Sequence, residues 1–161
     1  MATAEIILPL LGGVRDSNDP PGLLFTLAGR PYLAFDSATD ELLLWSFRLP
    51  DNYASGLTIK CQYSMASSTI DNVAIRTQVM AVAAAADILT DSFDILDKSS
   101  DSIVPTTAGI MKEITHALTN IDDAAAGSYL SLQLGRENTT TGVNSSGDMF
   151  LWATSIVYTT I

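Results

Sequence analysis

The stretch "LTIKCQYSM", residues 57–65, alternates without a break: Leu57, Ile59, Cys61, Tyr63 and Met65 take the odd places, and Thr58, Lys60, Gln62 and Ser64 the even ones. Successive side chains of a β-strand point to opposite faces, so a period of two demands a strand with one dry and one wet side. A helix would scatter the same apolar residues around its circumference. The chain must therefore build a sheet that packs by one face.

The same reading predicts further strands near 32–36, 41–49, 73–82, 92–96, 110–119, 129–136 and 149–159. In the second of these Leu43, Trp45, Phe47 and Leu49 share a face, and later Leu130, Leu132 and Leu134 alternate with Ser131 and Gln133. In the last, Phe150, Trp152, Ile156 and Tyr158 are expected on one face with Thr154 among them. Turn chemistry separates the runs in "PDNYASG" (50–56), "STIDN" (68–72), "AAAGS" (124–128) and "NSSGD" (144–148), all rich in residues that accept tight backbone bends. "MAVAAAADIL" (80–89) carries helix-favouring alanines and reads as a strand end followed by a loop or a single helical turn. Strands with long connections predict an all-β fold, a jelly-roll or Greek-key β-sandwich of about eight strands. No internal repeat of roughly 20–50 residues is visible, which excludes solenoids and propellers.

Residues 1–31 follow neither period. "ILPLLGGVRDSNDPPGLLFTLAGRP" sets prolines and glycines among leucines, and proline is barred from helix interiors and central strands. This predicts an extended N-terminal arm (1–31) ahead of a sandwich domain (32–161). The arm is too apolar to lie in water. It packs over its own domain or docks on a neighbouring subunit, and Leu10, Leu11, Leu23, Leu24 and Phe25 are the candidate partner-binding residues.

The net charge of −10 excludes some partners. Nucleic acid and anionic membrane surfaces need a basic footprint, and the eight basic residues are scattered singly. Only 16% of the chain is charged while 47% is hydrophobic, a balance that leaves apolar surface for an assembly to cover. Proteins, or neutral surfaces such as glycans, are the expected partners. The N-terminus has no basic region before its apolar run, which Pro9 interrupts, so neither a signal peptide nor a membrane span is expected.

Chemistry is sparse. His116 is the only histidine and shares a strand face with Ile114 and Leu118, so a structural role is expected. Cys61 lies on the apolar side of its strand and is expected as a reduced core thiol. One histidine and one cysteine are too few for a transition-metal site. Neither a nucleophile elbow nor a phosphate-binding loop is present. Asp87, Asp91, Asp94, Asp97 and Asp101 form one acidic cluster, and Asp36, Asp40 and Glu41 another. The first lacks the glycine that tightens a calcium loop and is read as a solvated edge. The sequons at Asn138 and Asn144 are read as accidental. No cofactor, metal or catalytic group is expected, and a structural or binding protein is.

The stretch "LWSFRLPDNYASGLTIKCQYSM", followed by "NVAIRTQVMAV" and by "VPTTAGIMKEITHALTNIDDAAAGSYLSLQLGRE", resembles β-rich virion proteins of tailed bacteriophages over roughly residues 40–160. Among these it is most similar to head decoration, or cement, proteins. The resemblance implies a jelly-roll protein made in the host cytoplasm and carried on the outer capsid surface. There it would form a homotrimer clamping the major capsid protein, with the five apolar arm residues reaching the shell. The alternative is a tail-fibre or baseplate module binding host glycans, with Tyr53 and Tyr129 as candidates for stacking on a sugar ring. A polysaccharide-degrading enzyme of the same appendages is a further rival, for which no carboxylate pair is fixed by the sequence.

Overall fold

Strands carry the chain in the computed structural model, which describes residues 1–67, 71–138 and 146–161. In order they are β1 (Thr3–Leu8), a 3₁₀ turn (Leu10–Gly12), β2 (Val14–Arg15), β3 (Gly22–Phe25), β4 (Pro31–Phe35), β5 (Leu42–Arg48) and β6 (Tyr53–Met65). There follow β7 (Asn72–Val73), β8 (Ile75–Val82), β9 (Asp97–Lys98), β10 (Ser102–Ile103), β11 (Lys112–Leu118), β12 (Tyr129–Arg136) and β13 (Met149–Thr160). One sheet runs β11-β6-β13-β4-β3, with β1 also paired to β13, and the other runs β2-β5-β12-β8-β9. β7 and β10 make a small separate pair. From β4 onward the longer strands alternate between the two sheets, and their pairings are antiparallel. That winding is a jelly roll, the predicted all-β sandwich.

The alternation of β6 decides what the sheets enclose. Leu57, Ile59, Cys61, Tyr63 and Met65 are each at most 1% exposed. Leu43 and Trp45 of β5, Leu130, Leu132 and Leu134 of β12, and Ile75 and Val79 of β8 join them in one core. Each such large side chain stabilises the fold by roughly 1.5–3 kcal/mol when fully buried. Burial pushes the Cys61 thiol up to about 12, which makes it the inert core thiol the sequence predicts.

Three expectations change. First, residues 1–31 are extended but woven into both sheets. β1 pairs along Thr154–Thr159 of β13, β2 pairs with β5, and β3 pairs with β4. Trp45 Nε1 donates to the Pro9 carbonyl at 2.9 Å, and Gly13 lies so close that a Cβ there would sit 2.6 Å from Leu43 Cδ1. The prolines divide the segment into short strands without freeing it. Second, 92–96 is a loop. The Asp94 carboxylate accepts from its neighbour Ile95 N–H at 2.7 Å, a local bond that competes with a sheet ladder, and pairing resumes only at β9. The alanine-rich run before it makes turns closed by Ala86 N–H to Ala83 C=O and Thr90 N–H to Asp87 C=O. Third, β13 does not keep one phase. Leu151 pairs with Tyr63 and Ala153 with Gln62, which leaves Trp152 as an extra residue. This β-bulge puts Met149 and Leu151 in the core ahead of it, and Thr154, Ile156 and Tyr158 after it. Phe150 and Trp152, expected in the core, face outward instead.

The predicted turn at 124–128 forms, with Ser128 N–H donating to Ala125 C=O and Gly127 at φ +80°. The predicted turns "STIDN" and "NSSGD", and the sequons after Asn138 and at Asn144, lie wholly or partly outside the described residues.

Candidate functional site

The wet side of the first sheet is laid out by its registers, because residues directly opposite in an antiparallel pair project to the same face. One row holds Thr115, Lys60, Ser155 and Ile7, taken from β11, β6, β13 and β1. The next row toward the N-terminus of β13 holds Glu113, Gln62 and Ala153, with Trp152 beside it. On the far side of the first row lie Ala117, Thr58, Val157 and Glu5. The Ser155 hydroxyl donates to Glu5 Oε1 at 2.5 Å and holds that carboxylate against the sheet.

The bulge gives this face its aromatic group. Tyr32, from β4, packs on Phe150 and on Trp152, each with ring centroids 4.8 Å apart and planes tilted by 51° and 34°. Such tilted pairs contribute about 0.5–1.5 kcal/mol beyond area burial. Trp152 Nε1 donates to the buried Ser64 hydroxyl at 2.8 Å. One edge of the indole is thus fixed by a hydrogen bond, and its body by the Tyr32 ring, which Phe150 backs in turn.

Three adjoining depressions lie on this face, and Trp152 borders two of them. A cleft of about 390 Å³ runs between β1 and β11, lined by Glu5, Ile7, Lys60, Gln62, Glu113 and Trp152 among others. A depression of about 270 Å³ is lined by Gln62, Met111, Lys112 and Glu113. A hollow of about 740 Å³ opens on the other side of the indole, lined by Leu27, Ala28, Arg30, Met111 and Trp152 with Thr26 and Gly109. These volumes are of the order of ligand pockets. The surface offers apolar rings beside amide, ammonium and carboxylate groups.

The residues expected to bind partners are divided between core and surface. Leu10 and Leu23 pack against the core, and Leu10 also borders the cleft. Leu11, Leu24 and Phe25 are 61%, 45% and 59% exposed. Of the two tyrosines proposed for sugar stacking, Tyr53 is buried against Tyr158 with centroids 5.9 Å apart, so it offers no face to a ligand. Tyr129 is 38% exposed but lies on the other sheet, where hydrogen bonds from Ser46 and Ser131 hold its phenol below the usual tyrosine range. The sequence reading missed Tyr32 and the outward turn of Trp152. In "MFLWATSIVY" both phases are apolar, so alternation cannot say which residues leave the core.

The one histidine of the sequence is paired with a carboxylate. His116 Nε2 lies 3.5 Å from Asp97 Oδ1. Burial lowers the imidazole, against the upward pull of Asp97, so the ring is neutral at pH 7. Burial pushes Asp97 up, but the N–H and hydroxyl of Thr119, the N–H of Asn120 and His116 together hold it below the usual carboxylate range. This carboxylate ties the end of β11 to β9. Asp94 of the same acidic cluster accepts from Asp122 N–H at 3.1 Å, and Asp122 accepts from Ala81 N–H at 2.8 Å. These carboxylates cap backbone donors. Among the described residues no group of three or more His, Cys, Asp or Glu could hold a metal ion, and no helix is long and apolar enough to cross a membrane.

No family model and no curated protein sequence matches the chain. Solved structures do. A family 35 carbohydrate-binding module from Clostridium thermocellum aligns with TM-score 0.60 and 11% identity over 95% of this chain and 97% of that one. The xylan-binding module CBM15 aligns with TM-score 0.52 and 13% identity over 99% of both chains. A carbohydrate-binding module of Cellvibrio mixtus lichenase 5A, in complex with cellotriose, aligns with TM-score 0.51 and 10% identity over 98% of both. These findings overturn the reading as a capsid cement protein: the folds that match nearly end to end are carbohydrate-binding modules. The arm proposed to grip a shell is itself part of both sheets. The chain has the jelly-roll β-sandwich fold seen in carbohydrate-binding modules.

Proposed function

We propose that the protein is a glycan-binding module that holds polysaccharide on the outer face of its first sheet and catalyses no reaction. The observation that carries this reading is Trp152, thrown outward by the bulge, packed on Tyr32, and bordering two depressions at once. Sugars pair an apolar C–H face with a rim of hydroxyls. An aromatic ring beside fixed amide and charged groups, here Gln62, Lys60 and Glu113, complements both.

The carboxylates of the cleft support binding over hydrolysis. Glu5 and Glu113 stand on strands three spacings apart, about 14 Å, and their rows are offset by four residues, a further ~13 Å. Glycosidase pairs need carboxyl groups about 5–9.5 Å apart, a gap that side chains cannot close from such positions. The test is affinity electrophoresis and a glycan array covering soluble plant, fungal and bacterial polysaccharides. The wild type is expected to bind at least one class, and Trp152→Ala to lose that binding while keeping its folded spectrum. Equal binding by the two proteins, or none by the wild type, would sink the reading.

A further inference from the structure

The three depressions are not separate cups. The cleft and the 270 Å³ depression share Gln62 and Glu113, that depression and the 740 Å³ hollow share Met111, and cleft and hollow share Trp152. Together they form a track that crosses β1, β13, β6 and β11 and continues to the turn after β3. Its first leg alone covers three strand spacings, about 14 Å, which is longer than a single sugar ring. Ile7 at one end is 68% exposed and Leu27 at the other is wholly exposed, so solvent meets the track at both limits. Along it apolar side chains (Ile7, Trp152, Met111, Leu27) recur between polar ones (Lys60, Gln62, Glu113).

From this geometry, and resting on the glycan-binding reading above, we infer that the ligand is a linear polysaccharide gripped along an internal stretch of several units, with Trp152 beneath the middle. A pocket for a chain end would close around one terminal ring and ignore the rest of the polymer. A track contacts successive units, so each added unit contributes until the track is full.

The probes are size-fractionated hydrolysates of xylan, lichenan and β-1,4-galactan, from single sugars to hexamers, titrated by calorimetry. Affinity is expected to rise about tenfold or more between dimer and tetramer and then to level off. Reducing the terminal sugar to its alditol is expected to leave the hexamer's affinity within about twofold. Leu27→Ser removes a fully exposed side chain and is expected to weaken the hexamer about threefold while leaving the dimer unchanged. Affinity that is complete with one sugar, or that vanishes on alditol formation, overturns this inference and leaves glycan binding standing. Absence of binding by every fraction overturns this inference, and the glycan array decides the glycan-binding reading separately.

Discussion

The outer faces of the two sheets are built from the same alternation and finish differently. On the second sheet Ser46 faces Ser131 with their hydroxyls 3.0 Å apart, Leu44 faces Gln133, and Gln133 faces Gln78. Its one exposed tyrosine, Tyr129, is tied to those serines. On the first sheet a single extra residue in β13 delivers a tryptophan to a face otherwise lined by Lys60, Gln62 and Ser155. The two layers teach that a regular ladder makes a wall, and that a site arises where the ladder is interrupted. The bulge re-aims one side chain, and neighbouring strands brace it.

The largest test of this contrast removes β1, which serves the first sheet alone. Deleting residues 1–8 takes away the buried Leu8 and the half-buried Ile6, and is expected to lower unfolding free energy by about 3–5 kcal/mol in urea titration. It also strips Glu5 and Ile7 from the cleft. A truncated protein as stable as the parent would show that the segment does not pack on its own domain, leaving the docking alternative of the sequence reading. Next in size is the pair Trp152→Ala and Tyr129→Ala. The first is expected to weaken polysaccharide binding by about 2 kcal/mol, near thirtyfold. The second should leave binding unchanged; if it were the more damaging, the site would have to move to the second sheet. Gly13→Ala probes the second sheet's stability without touching the track. Its methyl would collide with Leu43 and press on Trp45 at 3.1 Å, for a loss of about 1–3 kcal/mol at unchanged affinity.

The smallest expected effect is on pH. His116 titrates below the ordinary histidine value of 6.5 in the folded state because burial disfavours its charge. The unfolded chain therefore takes up the proton first, and stability falls as pH drops below 6.5 through the depressed folded value. Asp97, held below 3.8, has the same sign lower down: its contribution is present above 3.8 and lost as pH falls through its folded value. His116→Asn should flatten the first slope and leave most of the second, which rests mainly on Thr119 and Asn120. A variant that keeps both slopes would assign the first to another group.

Much of the architecture was legible. The odd residues of 57–65, the leucines of β12 and the Leu43/Trp45/Leu49 face are all core, because burial on one side of a sheet enforces the alternation that announces it. The site was not. Trp152 was visible only as one of several apolar residues in "MFLWA", residues 149–153, which carries no polar mark. Tyr32 lies far from it in sequence, and nothing local tells that β4 and β13 will be neighbours. The pairing of the arm was hidden for a related reason. Irregular, proline-broken sequence says that no long strand forms, but short pairings to distant strands leave little local trace.

The sequence by itself determined that this chain would be strands in two packed layers, since that follows from side-chain period. Tertiary structure alone decided that β1, β2 and β3 complete both layers and that Trp152 leaves the core. It also decided that Tyr32 and Ser64 hold the indole in place. Those outcomes depend on strand register between segments far apart in the chain, and register is a property of the assembled sheet.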